Sequence, residues 1–466
     1  MPPFKILLLV MPLLLGCSQS QNSQNRIISP DSRQSGFYST LGAENKVSFT
    51  AISRHQNMKV EDLKKMSPED VKYLESSILN GNLKFMFGPL TDSSLAGIKT
   101  NGYVKVDLST ARQVGDNVEV QYYYRGQWLV SEELRANIDT YKLPLPYDST
   151  QLMTPKWKKC TDSAPEHQTQ GFFWYFWDPK RWGCDHELGV HYQLVNLTLQ
   201  VETKPQTETF PNYDQLAKSA GVENNLQGTF AFGYVSDQPD ANPDQDSDYG
   251  MDEYRSFIRF MDAQAIQLKL EKVAITQKEY LNPRYPDKVI GYKYSGLKNG
   301  VKLQIKVVTS ADIDQMILFT QSYAHDHDGF FSWFGHSRVG SGFDSENVGR
   351  MIRNNPEYYS LTKQYQLIYW AGCNSYAYYT DTFFRQKATL DLTGDPNGTM
   401  NLDIINNGLP SLFSFNAQNA IISYNALINW ENPTSYQSIV NQIEENAKDN
   451  GTLVLVNVLG DEDNSK

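Results

Sequence analysis

Two residues capable of nucleophilic chemistry stand at the ends of apolar runs. Phe330-Phe331-Ser332-Trp333-Phe334-Gly335 leads into His336, and Leu367-Ile368-Tyr369-Trp370-Ala371-Gly372 leads into Cys373. Each run reads as a buried strand, and in an open α/β sheet sites gather beyond the carboxyl ends of strands. If the two strands are neighbours, about 4.8 Å apart, side chains leaving their ends come within reach of each other. The 36 residues between His336 and Cys373 suffice for the crossover that parallel neighbours need. A thiol alone is mostly protonated at neutral pH. A nearby imidazole can take its proton, and the start of a helix after Asn374 would stabilise the thiolate.

Two other clusters suit cations. The stretch AHDHDG, 324–329, gathers His325, Asp326, His327 and Asp328, and His with carboxylate is metal-ligand chemistry. The strand that follows would carry His336 about 20 Å from the cluster, at about 3.3 Å per residue, so a single site using all three histidines is not expected. The acidic loop DQPDANPDQDSDYGMDE, 237–253, alternates Asp244, Asp246 and Asp248 as a calcium loop does. Tyr249 stands where an EF-hand has glycine, Gly250 comes one place late, and the twelfth position lacks Glu. An irregular calcium site and a solvated acidic loop are the two readings of this segment.

Cysteine arithmetic bears on the thiol. The chain of 466 residues has four cysteines: Cys17, Cys160, Cys184 and Cys373. Cys17 ends MPPFKILLLVMPLLLGC, a lysine and an apolar run of signal-peptide length followed by Leu14-Leu15-Gly16-Cys17. This layout matches a bacterial lipobox, in which the cysteine becomes the lipidated N-terminus. Residues 1–17 are thus expected to be signal peptide and lipobox, and Ser18 in place of Asp points to an outer-membrane lipoprotein of the bacterial cell envelope, held to the membrane by its lipid. Residues 18–36 are polar, poor in large apolar side chains, and read as a tether. In an oxidising compartment Cys160 and Cys184 are expected to pair, which leaves Cys373 over by count. Net charge is −11 and no basic stripe is present, which argues against a nucleic-acid partner.

Positioning these residues falls to two halves with different patterns. Residues 37–220 alternate aromatic and β-branched runs with turn signals, as at 102–109, 116–130 and 191–202, and read as a β-rich domain. Its main helical interruption is 59–79, where Ser67-Pro68-Glu69-Asp70 supplies an N-cap, a first-turn proline and early acids. The segment GFFWYFWDPKRWGCDH, 171–186, has seven aromatics and is expected to be a disulfide-pinned plug of the core rather than a binding platform. Residues 221–466 alternate strands and helices, the signature of an α/β, mostly parallel sheet covered on both faces. Expected elements include a helix over 253–272, a hairpin over 289–310 turning at Asn299-Gly300, strands ending at His336 and Cys373, and a strand at TLDLTGD, 389–395.

A hydrophobic strand ending in His, followed by one ending in Ala-Gly-Cys, resembles the caspase and gingipain superfamily of cysteine peptidases, over roughly residues 229–390. The resemblance implies a caspase/gingipain-like layout for the C-terminal half. It implies Cys373 as nucleophile and His336 as base or proton shuttle, with an oxyanion held by backbone N–H groups of Cys373 and of Ser337, just past Gly335 and His336. The family usually has Gly directly after the His, and Ser337 departs from that. The substrate would be a peptide or protein and no cofactor would be required, although calcium dependence is known in some members. The alternative is a non-catalytic surface lipoprotein, a pseudo-peptidase or adhesin-like binding protein.

Overall fold

A computed structural model describes residues 39–164, 167–202, 208–235, 248–310, 313–337 and 343–461. Cys17, the tether, Asp244 and Asp246 lie outside the described residues.

Long antiparallel strands dominate the first half: β1 (Gly42–Gln56), β2 (Ala96–Ile98), β3 (Tyr103–Val114), β4 (Asn117–Ser131), β5 (Leu143–Pro146), β6 (Tyr192–Val195) and β7 (Thr198–Val201). One sheet runs β2-β4-β1-β7 with β3 also on β4, and β5 pairs with β6. The period of two is visible in β4, where Val118, Val120, Tyr122 and Tyr124 are buried while Tyr123 faces solvent. Helices α1 (Val60–Lys64) and α2 (Pro68–Asn80) cover the buried face, where Leu63, Leu74 and Ile78 join Val47, Phe49, Tyr122 and Trp128. Ser67 and Asp70 form a reciprocal capping box ahead of α2, as their spacing predicts. After α3 (Glu132–Ala136), the aromatic segment folds as α4 (Phe173–Phe176), followed later by α5 (Tyr213–Leu216). Phe173, Tyr175, Phe176 and Trp177 are buried, and a Cys160–Cys184 disulfide pins the segment.

The second half is a three-layer α/β unit. Its strands are β8 (Asn225–Phe232), β9 (Glu271–Thr276), β10 (Val289–Lys298), β11 (Val301–Thr309), β12 (Phe330–Phe334), β13 (Gln366–Trp370), β14 (Leu402–Asn407) and β15 (Val456–Leu459). They form one sheet in the order β15-β14-β13-β12-β8-β11-β10-β9. The pairs β11/β8, β8/β12, β12/β13 and β13/β14 are parallel, and the outer pairs are antiparallel. Helices α6 (Tyr249–Leu268), α11 (Asn416–Leu427) and α12 (Tyr436–Asp449) cover one face, while α7 (Gln315–Ala324), α8 (Ser345–Asn354) and α10 (Thr380–Ala388) cover the other. A single turn, α9 (Ser375–Tyr378), follows Cys373.

Two expected elements are displaced. Residues 389–395 form turns, not a strand: Leu392 is 73% exposed and the Asp391 carboxylate accepts the Gly394 N–H. The strand is β14, all six of whose residues are buried, so it lacks the alternation that suggested a strand earlier in the chain. The helix expected over 253–272 stops at Lys269, which takes a left-handed conformation with φ 56°, and β9 begins two residues later. No glycine marked that stop.

Glu444 on α12 ties the halves together. It is buried, and its carboxylate accepts the Thr40 N–H and hydroxyl and the Val456 N–H. Burial pushes its acid up to about 7 despite those donors. A carboxyl whose folded pKa lies above its unfolded value contributes stability below the unfolded pKa and loses it as pH rises through the folded one. Stability should therefore fall by about 2–3 kcal/mol between roughly pH 4.5 and 7 on account of this group. Denaturant titrations across that window should show the fall reduced by that amount in Glu444→Gln, which mimics the neutral acid.

Candidate functional site

Parallel pairing of β12 with β13 sets Trp333 opposite Trp370. Counting three residues onward from each places His336 and Cys373 at the same edge of the sheet. Chain order reverses around β8, with β11 on one side and β12 on the other, so His336 stands at a topological switch point. The carboxyl ends there approach unusually closely. A Cβ built on Gly372 would lie 2.7 Å from the Gly335 carbonyl oxygen, and one on Gly335 would lie 3.1 Å from the Gly233 Cα. Gly233, Gly335, Gly372 and Gly408 each fall within two residues of the end of a parallel strand. This row of glycines was present in the sequence and is the signal that reading for reactive side chains passed over.

The imidazole is oriented from two sides. His336 Nε2 lies 3.1 Å from the Val235 carbonyl oxygen, which as an acceptor places the ring proton on Nε2 and leaves the lone pair on Nδ1. Phe413 packs edge-on, with ring centroids 5.0 Å apart. The Val235 N–H in turn donates to both carboxylate oxygens of Asp248, at 3.1 and 3.0 Å. The Asp248 carboxylate also accepts the Gly250 and Met251 N–H groups as the N-cap of α6. Of the three aspartates read as a calcium loop, Asp248 is thus the described one, and its oxygens serve the backbone that positions His336.

Cys373 is 4% exposed. Its sulfur lies 3.4 Å from both the N–H and the carbonyl oxygen of Ser411. Cys160 and Cys184 are joined to each other. The helix start expected to stabilise a thiolate is reduced. α9 has four residues, too few to sum a useful dipole, and Asn374 enters it in the left-handed region with φ 51°. Ser337 is fully buried and its hydroxyl has no hydrogen-bond partner.

The β-rich half reaches this edge. Tyr175 hydrogen-bonds Asn374, Thr100 donates to the Ala377 carbonyl at 3.1 Å, and Tyr376 donates to Glu44 at 2.6 Å. Burial and the Glu44 carboxylate hold the Tyr376 phenol well above its usual range. Phe87 stacks on Tyr378 with centroids 6.2 Å apart. Apart from Tyr175, in the aromatic segment, none of these partners was marked by sequence, since each is an ordinary strand or loop residue until the halves dock.

The His/Asp cluster has another use. Lys306 lies 2.6 Å from Asp326 and 3.0 Å from Asp328, and Thr229 and Ser322 hydroxyls donate to Asp328. His325 and His327 follow the end of α7, at the amino-terminal edge of β12, opposite His336. Among the described residues the grouping that meets metal-ligand spacing is Cys160, Cys184 and His186, and its sulfurs are joined in the disulfide. Among the described residues, no helix is long and apolar enough to cross a membrane.

Comparison with protein-family models, curated proteins and solved structures yields no match.

The close approach at Gly372 has a measurable consequence. Gly372→Ala should lower stability by about 1–3 kcal/mol, because backbone must move to admit the methyl group. Gly349→Ala, in the middle of α8 with only the flexible tips of Arg353 and Gln386 near its new Cβ, should be neutral or stabilising by up to about 1 kcal/mol. Urea melts of the two variants give the comparison.

Proposed function

We propose that the chain is an exported, lipid-anchored protein whose C-terminal half is a caspase/gingipain-like cysteine peptidase domain acting on peptide or protein substrates. The observation that carries this reading is the parallel pairing of β12 and β13, which takes His336 and Cys373 to one sheet edge. The lone pair on Nδ1 of His336 and the Val235–Asp248 support behind the ring agree with it. In the reaction, the Cys373 thiolate attacks the scissile carbonyl carbon, and the oxyanion is met by backbone N–H groups at Cys373 and Ser337. The amine leaves with a proton from the imidazolium, and water then hydrolyses the thioester with His336 as base.

A second reading, a pseudo-peptidase that binds without turnover, is favoured by the burial of Cys373 and by the Ser337 side chain where the resembled family has glycine. Assays of unstructured fluorogenic peptides separate the two. A peptidase should cleave them, and Cys373→Ala should lower kcat/KM by about 10³-fold or more. His336→Ala should do likewise and slow alkylation of the reduced thiol near neutral pH, where an ordinary thiol of pKa about 8.5 is mostly protonated. A reduced, alkylatable Cys373 with no turnover would select the binding reading.

The anchor follows from Leu14-Leu15-Gly16-Cys17 and places the protein at the bacterial outer membrane. Mass spectrometry of the N-terminal peptide from membranes should find diacylglycerol on Cys17. An unmodified Cys17 would remove the anchor.

A further inference from the structure

We propose that the tip of the β-rich half, around the Cys160–Cys184 disulfide, docks on an anionic lipid surface through Trp182 and five flanking cations. The chain has eight tryptophans; Trp182 is 95% exposed, and the other seven are buried or half-buried. Lys156, Lys158 and Lys159 precede Cys160, while Lys180 and Arg181 precede Trp182, and all five are exposed. The disulfide brings the two segments together, with the cysteine Cα atoms 4.6 Å apart. A Cβ on Gly183 would lie 3.4 Å from Cδ of Lys159, so that lysine lies against the turn that carries Trp182. No ion pair of the described residues involves any of the five.

Such a concentration of unpaired cations is set against a chain of net charge −11. Of the nearby acids, Asp178 caps the Lys180 N–H and Asp185 accepts the Thr154 hydroxyl. Beneath lies a firm platform, in which Phe85, Leu152, Phe173, Trp177 and Tyr192 pack on the disulfide. A single exposed indole flanked by long cationic stems in two joined segments matches the interface of a bilayer. There the indole sits at headgroup level and the ammonium groups reach the phosphates. A protein-docking hot spot would instead set the indole in an apolar surround with neighbouring charge depleted. Neither the lipid anchor nor the peptidase reading is needed for this surface to work.

The test uses the full chain with vesicles of phosphatidylcholine containing brominated acyl chains, with or without about one part in three phosphatidylglycerol. Bromine quenches an indole only on contact with the bilayer interface, so anchorage elsewhere in the chain does not imitate the signal. Wild-type emission should be quenched on the anionic vesicles, much less on neutral ones or in high salt, and Trp182→Phe should remove the quenching. The triple variant Lys156→Gln/Lys158→Gln/Lys159→Gln should weaken partitioning of the tip by about a hundredfold, read as loss of quenching with Trp182 still present. Equal quenching of wild type and Trp182→Phe, or quenching indifferent to lipid charge, would overturn the proposal and leave the tip as a surface for a protein partner.

Discussion

Backbone contact at the carboxyl edge of the second sheet is the constraint on which the rest of this structure depends. With no side chain on Gly372, the carbonyl of Gly335 can sit where a Cβ would otherwise be, at 2.7 Å. Parallel strands with side chains at those positions would have to splay as they end, and His336 and Cys373 would diverge. The same logic extends outward along the edge. Gly408 and Gly97 let the β-rich half approach, since a Cβ on Gly408 would lie 2.9 Å from Leu129 Cδ2 and one on Gly97 2.4 Å from the Gly408 carbonyl oxygen. One run of small residues thus sets both the spacing within the sheet and the fit between the halves.

That fit makes the segment after Cys373 answerable to two cores at once. Ser375 donates its hydroxyl to the Trp370 carbonyl and accepts the Asn407 N–H, at 2.7 and 2.8 Å, which ties it to the sheet. Tyr376 and Ala377 turn the other way, to Glu44 and Thr100, and Ala377 belongs to the core of the β-rich half. A buried phenol donating to a carboxylate is costly to break, because either partner alone would be left in a dry interface. The β-rich half is therefore part of the wall of the candidate site rather than an appendage to it.

Polar residues that suggest chemistry were partly claimed by architecture. Asp328 sits in an ion-pair and hydroxyl network with Lys306, Thr229 and Ser322, which satisfies a carboxylate that burial would otherwise penalise. Asp248 closes the N-terminus of α6 and fixes the Val235 backbone. In both places the composition suggested a cation, while the lone pairs are used by protein donors. Residue type names the chemistry a side chain can do; only the neighbours say whether it is already engaged.

Much of the fold was legible because its signals are local. Period-two burial in β4, the capping box at Ser67, the left-handed Asn299-Gly300 turn between β10 and β11, and the strand runs ending at His336 and Cys373 all follow from backbone sterics, capping and the pleat. Elements were missed where the signal is not local. β14 has no alternation because both its faces are buried, α6 ends on Lys269 without a glycine, and residues 389–395 imitate a strand pattern in exposed turns. The sequence by itself determined that an apolar strand delivers a histidine, that another delivers a cysteine, and that Cys160 and Cys184 can close a loop. Tertiary structure alone decided that the two strands are parallel neighbours, that His336 leans on a carbonyl held by Asp248, and that the cysteine's sulfur is buried against the Ser411 backbone. Those facts depend on residues far apart in the chain, whose meeting is set by sheet order and backbone approach, which no local pattern records.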